Sequence, residues 1–218
     1  MDREAKEAIH AAIAAAMPVA AIWVTFALDN AFGHHAHLLG LVPRDAGRLY
    51  GILFFPVLHA DLDHLIANTP PLFLLVFGLI LFYGDRGWNI LGTNFLISGF
   101  ITWCMGRPDT LHIGASSLVY ALAAFHFASG LIRRVPRQMA FSLLVAFLYG
   151  GFVWAFFPTL YIHTSISWEG HLSGLLTGLA LAFHYRRLGP PMPADPFADE
   201  DSDDENDDGE DAYWKTGE

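Results

Sequence analysis

A single cysteine, Cys104, stands in 218 residues, so the chain can close no internal disulfide and carries no Cys-x-x-Cys metal site. Charge is almost as scarce: 16% of the residues are Asp, Glu, Lys or Arg, against about 25% in an ordinary soluble domain. The 12 Lys and Arg are outnumbered by 22 Asp and Glu and form no basic patch, which excludes nucleic acid as a partner. Even the net charge of −10 is local, because residues 195–218 hold twelve of the acids with Lys215 as their one base. The first ten residues mix acids and bases, and the apolar run after them has no small-residue exit. A cleaved secretory leader lacks support on both counts, and that run is read as a retained span. His34, His35 and His37 cluster, but no thiol or carboxylate completes a metal-ligand spacing with them. They are read as a surface loop, and neither a metal nor a cofactor is expected.

What the chain has in abundance is apolar length. Some 54% of it is hydrophobic, with 18 Phe and 6 Trp, which exceeds the content of a soluble domain. Six runs are long enough to be membrane spans: 9–28, 59–83, 88–105, 114–132, 139–157 and 171–185, the last being short. Between the first two lies an apolar stretch, 49–58 with Pro56 inside, that is too short to cross and reads as an interfacial or re-entrant element. Trp88, Trp168, Tyr83 and Tyr161 fall at span ends, where aromatic belts occur. The expected fold class is therefore all-α, a polytopic membrane protein with a six-transmembrane-helix bundle. It divides into a short N-terminus (1–8), a membrane domain (9–187) and a disordered acidic tail (188–218). Six spans put both ends of the chain on one side. Nine of the twelve Lys and Arg then share that side, leaving Arg44, Arg48 and Arg107 opposite, so both termini are expected in the cytoplasm. The simplest location is a bacterial or archaeal cytoplasmic membrane.

Three of the spans open on polar residues at what this topology makes the outer end: His59, His64 and Asn68; Ser116; and His171. Polar groups kept in hydrocarbon need partners, and those that persist usually have work to do. A serine oxygen attacks a carbonyl when a base takes its proton, and imidazole is the usual base near neutral pH. Ser116 and His171 lie at similar depth on spans of the same direction. Gly170, Gly174 and Gly178 recur every fourth residue, leaving a bare stripe on the sixth span that admits another backbone. His64 and Asn68 share a helical face and can aim donors at one developing oxyanion, joined by the Ser116 backbone N–H. Glu169 is placed in the loop, so no carboxylate on a span completes a triad. Tyr120, one turn below Ser116, is either an ordinary core tyrosine or a ring stacked on His171.

In this order and spacing, His59-(four)-His64-(three)-Asn68, Gly114-Ala-Ser116 and Gly170-His171-(two)-Gly174 resemble the rhomboid family of intramembrane serine proteases. The resemblance covers roughly residues 40–187. It implies a catalytic dyad of Ser116 as nucleophile and His171 as general base. His64 and Asn68 would form the side-chain part of the oxyanion hole, with His59 in support. Tyr120 would pack on the imidazole, and Gly174 would let span six touch span four. The implied activity is hydrolysis of peptide bonds near the outer end of substrate transmembrane helices in the lipid bilayer, without cofactor. The alternative is an inactive rhomboid-like protein that binds or escorts transmembrane helices. The chain departs from the family pattern in three places. Ser117 stands where glycine usually follows the nucleophile, and its hydroxymethyl either crowds the oxyanion region or is accommodated. The loop after span one lacks a Trp-Arg pair, and the inner end of span two lacks a glutamate.

Overall fold

A computed structural model describes residues 2–33, 35–108, 110–150 and 168–189. The described residues hold six long α-helices and one short one: α1 (Arg3–Ala31), α2 (Gly51–Phe54), α3 (Leu62–Tyr83), α4 (Arg86–Met105), α5 (Ser116–Arg133), α6 (Pro136–Tyr149) and α7 (Trp168–His184). Most of the expected spans are recovered with shifted ends. α1 starts at Arg3 rather than Ile9, because the Asp2 side chain caps Ala5 N–H at 2.7 Å and Arg3 pairs with Glu7 one turn on. α3 starts at Leu62, capped by the Asp61 carboxylate on His64 N–H at 2.7 Å, which leaves His59 in the segment before the helix. Pro70 and Pro71 do not interrupt it. α5 starts at Ser116 and not Gly114, since Gly114 has a φ of +116° that no helix accepts. The short apolar stretch after span one folds into brief turns: α2 and a 3₁₀ turn at Phe55–Val57. The distal part of the fifth span, the loop with Tyr161 and His163, and the acidic tail from 190 lie outside the described residues. Leu188 belongs with the body, where its carbonyl accepts from Arg133.

Beside an apolar core, burial departs from that of a soluble protein at both ends of the scale. Asn94, Ser98, Thr102, Ser117, Ser129 and Thr177 are buried, while Phe147 is 86% exposed, Leu143 67% and Phe183 61%. An aqueous protein would leave few such large apolar side chains bare, so this surface is built for lipid. Several of the interior polar groups bond along their own helices. Thr102 donates to the Ser98 carbonyl at 2.7 Å, Thr177 to Ser173 at 2.7 Å, and Asn94 to Ile90 at 2.9 Å. By length and hydropathy alone, α1 and α3 are candidate crossing segments among the described residues. α4, α5 and α7 have lower hydropathy because one face of each points polar or small residues inward.

α5 is the centre of the bundle, with α7 as its most extensive neighbour; α6, α3 and α4 pack on it too, and α7 also lies along α4. The α5–α7 contact is backbone to backbone. A Cβ added to Gly174 would stand 2.2 Å from the Ser117 carbonyl oxygen, and one on Gly178 would stand 2.1 Å from that of Ala121. α1 packs on α3 through Ala11, Ala14, Ala15 and Ile22, with Trp23 Nε1–H donating to Thr69 at 3.0 Å.

Candidate active site

The sharp turn into α5 builds the site. Residues 112–115 are held by three backbone anchors before the helix begins. His112 and Leu41 exchange N–H···O bonds at 2.8 and 3.0 Å as an isolated antiparallel bridge, Gly114 N–H donates to the Phe55 carbonyl at 2.8 Å, and Ala115 N–H points at His59 Nε2 at 3.5 Å. Ser116 follows as the first helical residue, half-buried, among first-turn amides that have no acceptor inside the helix.

His64 lies over this turn. Its imidazole is so close to Gly114 that a Cβ there would meet Cε1 at 2.4 Å and Nε2 at 2.6 Å. Glycine is thus required twice at 114, once for φ and once for this ring. The His59 and His64 rings meet edge-on with centroids 5.0 Å apart. Asn68, one turn below His64, donates from Nδ2 to the His64 carbonyl at 3.0 Å and faces His59 Nε2 at 3.3 Å. Because a backbone N–H also aims at His59 Nε2, that nitrogen is the acceptor and the ring proton is assigned to Nδ1. Both N–H bonds of Asn68 are therefore engaged in this state.

His171 enters from α7. Its ring lies flat on that of Tyr120, centroids 4.1 Å apart and planes 12° from parallel. Tyr120 is one turn below Ser116 on the same face of α5, and Gly174, one turn beyond His171, touches the Ser117 carbonyl. Ser116 and His171 thus belong to one seam, between the two helices in closest contact. Residues 46–188 match the Rhomboid domain family. The chain belongs to the rhomboid family. An uncharacterized protein of Mycobacterium tuberculosis (strain ATCC 25618 / H37Rv) is 34% identical over 170 residues, 76% of this chain and 71% of the relative. An uncharacterized protein of Mycobacterium leprae (strain TN) is 32% identical over 170 residues, 76% and 67% of the two chains. Rhomboid-related protein 1 of Caenorhabditis elegans is 29% identical over 174 residues, 74% of this chain but 48% of that protein.

Within this rhomboid bundle one residue lies where sequence reasoning did not put it. Glu169 belongs to the first turn of α7 rather than to the loop; it is 3% exposed, and Arg107 Nε donates to its Oε1. The signal was available, since an acid in a first turn ahead of an apolar run marks a helix start. Ser117 is buried, so its hydroxymethyl is accommodated in the helix seam, and its Oγ has no partner among the described residues. His112 is buried as well, with Thr110 Oγ1 at 2.9 Å from its Nε2; burial is the main influence pulling its pKa down, with Glu169 opposing and Arg107 assisting. His126, deep in α5, is 2.9 Å from the Leu75 carbonyl through Nε2 and serves packing. His35 and His37 are exposed in the loop expected of them, and His37 borders a cavity of about 80 Å³ with Thr25, Asp29 and His59. Among the described residues no group of His, Cys, Asp and Glu is disposed to hold a metal.

Proposed function

We propose that this rhomboid is an intramembrane serine endopeptidase that cuts substrate transmembrane helices near their outer ends with a Ser116–His171 dyad. His171 takes the proton from Ser116 Oγ as the oxygen adds to the scissile carbonyl. The same imidazole then protonates the leaving amine, and water admitted from the outer side hydrolyses the acyl-enzyme. The negative oxygen of the tetrahedral intermediate develops over the Gly114–Ser116 turn, within reach of the Ser116 N–H and the His64 ring. Asn68 joins by turning one N–H away from His59, which meanwhile anchors Ala115. The observation that carries this reading is the flat stack of His171 on Tyr120 beside the Gly174–Ser117 contact, which ties the base-bearing helix to the nucleophile-bearing one. The reading includes a cell-membrane location with both termini cytoplasmic, transmembrane proteins as substrates, and no metal or cofactor.

The decisive experiment is cleavage of a single-span substrate with a Gly- or Ala-containing helix top by the purified protein in liposomes, alongside labelling by a fluorophosphonate. Wild type is expected to cleave and label. Ser116→Ala should do neither while keeping its thermal unfolding profile, and His171→Ala should lose labelling. Undiminished cleavage by Ser116→Ala would remove the dyad, and a folded wild type that neither cleaves nor labels would leave a helix-binding relative.

A further inference from the structure

α7 is gripped on two sides. Successive residues of a helix are about 100° apart, so Glu169 and Ser173 share one face while His171, Gly174 and Gly178 share the other. The second face lies on α5. The first is bonded to α4 and to the loop that follows it: Ser173 Oγ–H donates to Thr102 Oγ1, whose own hydrogen goes to the Ser98 carbonyl, and Arg107 bonds Glu169. Arg107 starts the segment that ends at Ser116, and that segment is itself braced. Arg44 bonds the Gly106 carbonyl at 3.3 Å, Thr110 Oγ1 donates to the Arg107 carbonyl at 2.6 Å, and the His112–Leu41 bridge follows.

From this we infer that the Arg107–Glu169 ion pair positions the general base: it sets the rotation of the first turn of α7 against the segment leading to Ser116, and so aims His171 without touching substrate. The inference rests on the dyad reading above. Apolar seams and glycine stripes permit a helix to roll or slide, whereas a buried carboxylate held by one guanidinium does not. Glu169 is buried while the Arg107 side chain is 59% exposed, so the pair spans the boundary between the bundle and the outer surface. Its Oε2 has no partner among the described residues, Arg107 provides its ion pair there, and the His112 ring feels its charge. A buried carboxylate depends heavily on the cation that pairs with it.

The test compares Arg107→Gln, Arg107→Lys, Glu169→Gln and the double Gln variant in the liposome cleavage assay, resolving kcat from KM. Because misplacing a reacting group by about 1 Å costs on the order of a hundredfold, kcat is expected to fall about ten- to a hundredfold in both single Gln variants, with KM unchanged within about twofold. Arg107→Lys, which keeps a cation, should restore most of the loss, and the double variant should be no worse than the worse single, because both remove the same contact. Additive losses, losses confined to KM, or single Gln variants at wild-type kcat would overturn the inference. Hydrogen exchange of the amides at 169–172 gives a readout that needs no activity. Faster exchange there in Glu169→Gln and Arg107→Gln, with the rest of α7 unchanged, is expected even of a protein that proves inert and so defeats the protease reading; unchanged exchange would dispose of the latch itself.

Discussion

Replacing Gly178 by alanine tests the seam on which the proposed chemistry depends. The new methyl would stand 2.1 Å from the Ala121 carbonyl oxygen, 2.8 Å from Ala124 Cβ and 2.8 Å from Phe125 N, so two of the three obstacles are backbone and cannot rotate away. An ordinary carbon–oxygen contact needs about 1 Å more, and only separation of α7 from α5 can supply it. Overpacking of this kind costs about 1–3 kcal/mol. For a chain of this size that corresponds to a fall in Tm of roughly 3–10 °C. The activity should suffer more than the stability. Gly178 is seven residues, two helical turns, from His171 on the same face of α7, so an outward shift of about 1 Å carries the imidazole off Tyr120 and lowers cleavage about a hundredfold. Gly92→Ala is the matched control, since nothing lies within 4 Å of a Cβ at that position in the body of α4. There the substitution relieves backbone entropy and should stabilise by about 0.5–1 kcal/mol with activity unchanged. Thermal unfolding in detergent and fluorophosphonate labelling rates read both variants. If Gly178→Ala matched wild type in Tm and labelling, α5 and α7 would not be in backbone contact, and His171 would not be held beside the head of α5.

Gly114→Ala combines a positive φ with a methyl driven into the His64 imidazole, and should abolish labelling of Ser116 by displacing the oxyanion turn; wild-type labelling would disprove the His64–Gly114 contact. Asn68→Ala removes the donor that His59 and the His64 carbonyl share, and should lower kcat about a hundred- to a thousandfold with little change in KM, the loss typical of one oxyanion donor. Ser117→Ala deletes a buried hydroxyl that no described residue satisfies, so a Tm higher by an amount equivalent to about 1 kcal/mol is expected, with cleavage retained.

The large elements were legible because the bilayer makes the pattern coarse: a run of apolar residues of crossing length can hardly be anything but a span, and glycines every fourth residue have few uses other than close packing. Helix ends were less legible. They are set by side chains acting on backbone amides over one turn, as with Asp2 extending α1 outward and Asp61 starting α3 three residues after His59, and hydropathy does not register such bonds. Pro70 and Pro71 sit inside α3 without ending it, because a proline removes one donor in a helix whose neighbours hold it straight.

The candidate site was legible to the extent that its residues share helix faces and no further. Spacing alone put His64 with Asn68, and Ser116 with Tyr120, since residues four apart lie on one side of a helix. It left Tyr120 undecided between core and stack, and the flat contact with His171 chooses the stack. What spacing could not supply was any contact between segments distant in the chain: Arg107 with Glu169, Ala115 with His59, Leu41 with His112. Each of these involves an irregular stretch, where no period exists to be read. They also decide how far the helices can move, because the turn carrying Ser116 is held by backbone bonds from the 40s and 50s, while His171 rides on a helix that glycines leave free to slide. Precision at the proposed dyad therefore comes from the irregular segments around the head of α5, and substitutions there should alter kcat before they alter the fold.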